Sequence, residues 1–194
     1  MSKANKSNKA IKYRLYPNDE QKVMFAKTFG CCRFVYNQLL ALQKQRYKDG
    51  ESHLSKLKSN EFATRTLKKD YDFLKEIDKF AVSNAVFHLA DAYDRFFKKQ
   101  NHFPKFKSKR KSKKSYTTNF TNNNILIGKN VIKLPKVGMV KAVIHKLPKD
   151  DWKLKSVTVS QDSVGNYFAS VLFEYEQEDI PSVSKSSTNA IGLD

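Results

Sequence analysis

Between Asp94 and Asp150 this chain of 194 residues carries no Asp or Glu, although 16 Lys and Arg fall in the same interval. The rest of the chain is nearly balanced, with 21 basic against 19 acidic residues, so almost all of the formal net charge of +18 belongs to one block. Other things are scarce as well. The only cysteines, Cys31 and Cys32, are adjacent, which supports neither a disulfide framework nor a zinc site, since both need spaced ligands. They read as free thiols of a reducing compartment, at least one of them a core residue. The six glycines never cluster as a phosphate-cradling loop requires, and Ser or Cys nucleophile motifs are absent. His53, His88, His102 and His145 are scattered, without metal-ligand spacing. No apolar run approaches the roughly 20 residues needed to span a bilayer. Met1 to Lys9 is polar and Lys-rich with no hydrophobic stretch behind it, so no secretory signal is expected there. The expected location is the cytoplasm, in association with the nucleoid.

What is present is a foldable chain with a localised positive field. Apolar residues make up 40% and aromatics 12%, which excludes full disorder and allows one domain with a core, or two small ones. The densest basic stretch is "FPKFKSKRKSKKSYTTNFTNNN", Phe103 to Asn124, in which seven of the ten residues from Lys105 to Lys114 are basic. A field concentrated in this way attracts a polyanion, and nucleic acid is the usual one. A solvated charge run that only confers solubility is the plainer reading. It leaves unexplained the aromatic, Asn and Thr residues interleaved here, which are base- and phosphate-contacting types.

Periodicity divides the chain into a helical and a strand-rich part. Lys9 to Tyr16 alternates, with Ile11, Tyr13 and Leu15 on one face, as a strand does, and Pro17 ends it. Asn18 and Gln21 form a capping-box signal, and Asp19 and Glu20 suit the positive end of a helix. A short helix is expected to Phe29 with Gly30 as a left-handed cap, then a second one through Val35, Leu39 and Leu42 to Gly50. Ser52 to Lys69 reads as helix. Asp78 is expected to cap the clearest helix, whose core-forming stripe is Val82, Ala85, Val86, Leu89, Ala92, Tyr93, Phe96 and Phe97. After Pro104 the period shortens, and Ser115–Phe120, Ile125–Ile127, Val131–Leu134, Val137–His145, Leu154–Ser160 and Tyr167–Tyr175 read as strands. Five or six short strands fit a small barrel or sandwich. The first strand has no partner among the helices that follow, so the economical arrangement places it in the later barrel, with the helical block inserted. The fold class expected is α+β.

Capping and surface pairing account for Asp19, Asp70, Asp72, Asp78 and Asp94. Asp194 stands apart, at the end of the apolar "AIGLD". A carboxylate at the end of a buried strand can ligate Mg²⁺ for two-metal phosphodiester cleavage, but one carboxylate does not make that site. The ending reads as the first strand of a further domain rather than a dangling edge strand.

The words "KAIKYRLYPNDEQ", "FGCCRFVYNQLL", "IDKFAVSNAVFHLADAYDRFFK", "FPKFKSKR", "FTNNNILIGKNVIKLPKVGMVK" and "IGLD" together resemble TnpB, or OrfB. These are the RNA-guided nucleases of bacterial insertion sequences, related to the type V CRISPR effectors. The likeness runs from about Lys9 to Asp194, in order and with similar spacing; single words are weak, and their register carries the weight. It implies a tail and first barrel strand over 1–16, a helical recognition domain (helix-turn-helix-like) over 17–102, and an oligonucleotide-fold-like wedge barrel over 103–180. A linker and the first strand of a truncated RuvC-like nuclease domain are implied over 181–194. An older label for the N-terminal segment is the helix-turn-helix DNA-binding domain of a transposase.

The resemblance also implies partners and roles. Those are a guide RNA from the transposon right end, duplex DNA bearing a short transposon-adjacent motif, and no membrane. Carried over word by word, Lys79, Phe80, Thr121, Asn122 and Asn123 approach that motif, and Ser83 stands where close members can have Gln. Lys105, Lys107, Lys109, Arg110, Lys111, Lys113 and Lys114 are expected to neutralise phosphates. Asp194 matches the first catalytic carboxylate of the family's G-[IVL]-D motif and would bind Mg²⁺ only in a completed site. The family's later acidic residues and its four-cysteine zinc ribbon are not in this sequence, so no cofactor is expected for this chain, and Mg²⁺ and Zn²⁺ only for a C-terminal part. The expected function is recognition without cleavage. The rivals are half of a split nuclease completed by a separate C-terminal polypeptide, a standalone nuclease-dead transcriptional repressor, and a generic basic RNA-binding barrel.

Overall fold

The computed structural model describes residues 5–177; Asp194 and the linker expected over 181–194 lie outside the described residues. Strand β1 (Asn5–Tyr16) is followed by α1 (Asp19–Lys48), α2 (Lys56–Glu61), a π-helical stretch Phe62–Leu67, α3 (Lys68–Asp70), a 3-10 turn Asp72–Lys75 and α4 (Lys79–Phe97). Six strands complete the fold: β2 (Lys114–Asn119), β3 (Leu126–Ile127), β4 (Val131–Leu134), β5 (Gly138–Val143), β6 (Lys153–Gln161) and β7 (Tyr167–Gln177). Among the described residues no helix is long and apolar enough to cross a membrane.

The strands form one antiparallel sheet in the order β2-β6-β7-β1-β5-β4-β3. β1 pairs with β7 from Asn5↔Gln177 to Leu15↔Tyr167 and with β5 through Arg14↔Val143 to Tyr16↔Lys141. The first strand therefore sits at the centre of the later strands, and the whole helical block is an insertion between β1 and β2, as the orphaned alternation of Ile11, Tyr13 and Leu15 predicts. Those three side chains are at most 5% exposed, and burying each contributes about 1.5–3 kcal/mol. No pairing among the described residues joins β2 to β3, so the strands expected to form a small barrel or sandwich make an open sheet.

The capping box forms as predicted: Gln21 N–H donates to the Asn18 side chain at 2.8 Å, and the Gln21 side chain accepts from Asn18 N–H at 3.1 Å. Gly30 does not cap. The helix runs through it unbroken for 30 residues, because the buried face continues on both sides through Phe25, Phe29, Cys32, Val35, Tyr36, Leu39 and Leu40. A helical glycine costs about 1 kcal/mol against alanine, far less than losing that face. The α4 stripe is buried as far as Tyr93, but Phe97 is 64% exposed. It ends with Phe96, Phe97 and Phe103 around an open apolar groove that Tyr47 and His53 also line. The helical block meets the sheet through Phe25 and Phe29 of α1 packed on Tyr116 of β2, with Phe25 also stacked on Tyr167 of β7. Asn84 of α4 ties the second seam, donating to the Thr117 carbonyl at 3.0 Å and to Asn119 Oδ1 at 3.2 Å.

Candidate nucleic-acid interface

Where α4 begins beside the β2–β3 loop, the surface opens into a groove of about 480 Å³. Lys79 and Phe80 come from the first turn of α4, Thr121 and Asn122 from the loop, Lys68 from α3, and Lys136 from the β4–β5 turn. The fold thus brings together four of the six residues assigned by resemblance to motif contact, although some 40 residues separate the two segments. Ser83 lies one turn further along α4, half-buried, and does not line the groove; Asn123 is exposed beside it on the same loop. The Lys79 ammonium sits 5.1 Å from the Phe80 ring centre.

The loop is shaped by a residue the sequence reading did not single out. Asn124 accepts from Thr121 N–H at 2.8 Å and donates to the Asn119 carbonyl at 3.0 Å, closing a tight turn. Inside that turn Asn122 and Asn123 adopt φ of +45° and +55°, a left-handed conformation that asparagine tolerates better than most residues. Both side chains are presented to solvent. A run of three asparagines is itself a turn signal of this kind. Lys68 and Lys136, by contrast, carry no local signal, and only the tertiary fold delivers them. The Lys68 ammonium is held below its usual range, first by burial and then by Lys79 and Lys136, with Asp78 acting in the opposite sense. Crowded cations of this kind favour an anion in the groove. Asp78 is the N-cap residue of α4, as expected, but its side chain makes no capping bond, and its buried Oδ2 has no hydrogen-bond partner among the described residues.

The basic run is an ordered turn. Ser108 Oγ accepts from Lys111 N–H at 3.0 Å, Ser112 Oγ accepts from Ser108 N–H at 2.9 Å, and Ser112 N–H reaches the Ser108 carbonyl at 3.2 Å. Lys109, Arg110 and Lys111 project from it, exposed, as are Lys105, Lys113 and Lys114. Lys114 donates to the Gln161 side chain at 3.0 Å. Lys107 is placed differently from the other six. Its backbone is clamped by Asn37, which accepts from its N–H at 2.8 Å and donates to its carbonyl at 2.9 Å. Its ammonium lies 4.0 Å from the Tyr36 ring centre, and burial pulls its pKa down. Lys107 thus anchors the run to α1.

Cys31 and Cys32 are buried free thiols; burial pushes them up to about 11 and about 12. Among the described residues no group of three or more His, Cys, Asp or Glu could hold a metal ion.

Residues 5–52 match the profile of the OrfB helix-turn-helix domain family, a span that here comprises β1, the unbroken α1 and the turn after it. Over 188 residues the chain is 30% identical to a candidate RNA-guided DNA endonuclease of Streptomyces pristinaespiralis, covering 96% of this chain and 45% of that protein. It is 29% identical over 192 residues to the candidate RNA-guided DNA endonuclease InsQ of Escherichia coli (strain K12), covering 95% of this chain and 44% of that one. Virulence protein VsdF of Salmonella dublin is 32% identical over 111 residues, 52% of this chain and 93% of VsdF. The chain spans somewhat less than half the length of the two endonuclease relatives. Similarity sustained along nearly the whole chain, with the OrfB domain at its head, settles its ancestry: the chain belongs to the TnpB (OrfB) family.

Proposed function

We propose that this chain is the recognition part of an RNA-guided DNA endonuclease, holding a guide RNA and reading a short adjacent motif on duplex DNA. The observation that carries this is the groove between α4 and the β2–β3 loop, where two segments distant in sequence bring amide, ammonium and aromatic groups together. Asn122, Asn123 and Lys79 offer hydrogen bonds to base edges, and Phe80 offers an apolar surface to a thymine methyl. The lysines around them, with Lys105, Lys109, Arg110, Lys111, Lys113 and Lys114, supply phosphate contacts that give affinity without sequence choice. Sequence choice along the target then comes from guide pairing. In this reading the open sheet is the family's wedge, and the described residues recognise rather than cut. Asp194 supplies one Mg²⁺-binding carboxylate to a site that needs others.

A randomised duplex library tests the motif assignment. Asn122→Ala is expected to lose about 1–3 kcal/mol of discrimination at one base position, with other positions unchanged. Equal weakening on every sequence refutes base reading by this loop. Mg²⁺-dependent cutting by a pure preparation of these 194 residues refutes the assignment to recognition alone.

A further inference from the structure

The face of the sheet turned away from the core has no part in the interface described above, yet it is built to a pattern. In register across β2, β6, β7 and β1 run two outward rows: Thr117–Thr158–Ser170–Lys12, and Ser115–Ser160–Phe168–Arg14. Their sequence neighbours Tyr116, Thr118, Val157, Val159, Ala169 and Tyr13 are buried on the opposite face, where α1 packs through Phe25 and Phe29. Small hydroxyl side chains thus pave the outer face around one aromatic ring on a central strand. The Thr117 and Thr158 hydroxyls bond each other at 2.8 Å. Lys12 lies 4.1 Å and the Arg14 guanidinium 5.1 Å from the Phe168 ring centre, and Tyr16, 51% exposed, adds a second ring 5.4 Å from Arg14. Arg14 is held by a hydrogen bond to the neutral Asn166 side chain. Among the described residues no carboxylate pairs with Lys12 or Arg14, so both charges stay available.

We propose that this outer face binds single-stranded RNA, with an unpaired base stacked at Phe168 and Tyr16 and the backbone lying over the hydroxyl rows between Lys12 and Arg14. Three features select this occupant. A sheet face with an aromatic on a central strand and cations beside it is a stacking platform for unpaired bases. The short Ser and Thr side chains beside Phe168 let a sugar-phosphate backbone approach closely. Hydroxyls both donate and accept, so they can meet a ribose 2′-OH in either role. The inference deepens the RNA-binding half of the proposed function and rests on it.

Binding is measured by fluorescence anisotropy at low salt, with a mixed-sequence single-stranded RNA of about 15 nucleotides and the DNA of the same sequence. Phe168→Leu keeps the bulk and removes the ring; it is expected to weaken RNA binding by roughly five- to a hundredfold. Lys12→Glu, an exposed change that leaves the core untouched, is expected to weaken RNA in the same direction. Ultraviolet cross-linking of the wild-type complex is expected to mark the peptides holding Phe168 or Tyr16. Wild-type RNA affinity in both variants overturns the proposal, and so does an equal loss on DNA and RNA. If these variants bind normally while Ala at Lys109, Arg110 and Lys111 weakens binding, only the sheet-face site falls. If the wild-type chain binds no RNA at low salt, the reading beneath it falls as well.

Discussion

Replacing Lys109, Arg110 and Lys111 together by Ala separates phosphate clamping from every other role of the basic run. The three side chains are exposed on one turn, and none forms an ion pair among the described residues. The turn is closed by the hydroxyls of Ser108 and Ser112 and by backbone, so alanine at the three positions keeps its shape. Each duplex phosphate neutralised contributes about 0.9 to the slope of log K against log salt, so three lost contacts flatten that slope by about 2.7. Between about 50 and 200 mM salt this amounts to roughly 40-fold, by which wild-type affinity falls more than the variant's. The assay is titration of a labelled duplex at several salt concentrations, with thermal melts confirming that both proteins are folded. Parallel slopes would show that the cations face bulk water in the complex, and the phosphate-clamp assignment would then be wrong.

Two further outcomes follow from buried contacts. Asn124→Ala removes the two side-chain hydrogen bonds that brace the Thr121–Asn124 turn, leaving its backbone bond from Asn124 N–H to the Thr121 carbonyl, and is expected to cost about 1–3 kcal/mol of stability, read by urea denaturation. Unchanged stability would mean that the backbone bond alone holds the turn and that the Asn124 side chain does not shape it. Cys31 and Cys32, pushed up to about 11 and about 12 by burial, are expected to resist a maleimide at neutral pH until the protein is unfolded. Because the folded-state values are raised, the stability linked to these thiols is complete below their ordinary pKa of 9.0. It declines as pH rises from there toward the folded-state values. Rapid labelling of the native protein contradicts this.

The sequence carries its information unevenly. The place of β1 was legible because alternation at Ile11, Tyr13 and Leu15 demands strand partners, and only the later segments could supply them; the pairing with β7 and β5 meets that demand. Gly30 misled because a local breaker signal was weighed without the apolar face that continues past it, and tertiary burial outweighs propensity in such a case. The stripe to Phe97 ran too far for the converse reason: the helical period persists after Tyr93, but ring contacts with His53 and Tyr93 leave Phe97 mostly exposed. Charge in the Lys105–Lys114 run was legible, whereas the seating of Lys107 on Tyr36 was not, since Asn37 lies 70 positions away in sequence. The groove became visible only through family words, and its Lys68 and Lys136 could not have been chosen by any reading of neighbours. The π-helical stretch Phe62–Leu67 also left no recognisable mark.

The missing acids between Asp94 and Asp150 acquire a structural meaning once the contacts are known. A surface crowded with Lys and Arg still has to be held in shape, and the usual device would be ion pairs. The helical block uses them, as Lys27 with Glu76 at 2.7 Å and Lys56 with Asp91 at 3.4 Å show; exposed pairs of this sort contribute only about 0–1 kcal/mol and weaken with salt. Along the basic block the work falls to neutral side chains: Asn37 for Lys107, Ser108 and Ser112 for the turn, Asn84 for the α4–β2 seam, and Asn124 for the groove loop. Amides and hydroxyls fix the backbone without cancelling charge. A carboxylate in the place of Asn37, Asn84 or Asn124 would lack the N–H that each donates to a backbone carbonyl and would cancel part of the field. The backbone of the basic block is thus held by neutral groups, and the charge it carries is left for the ligand.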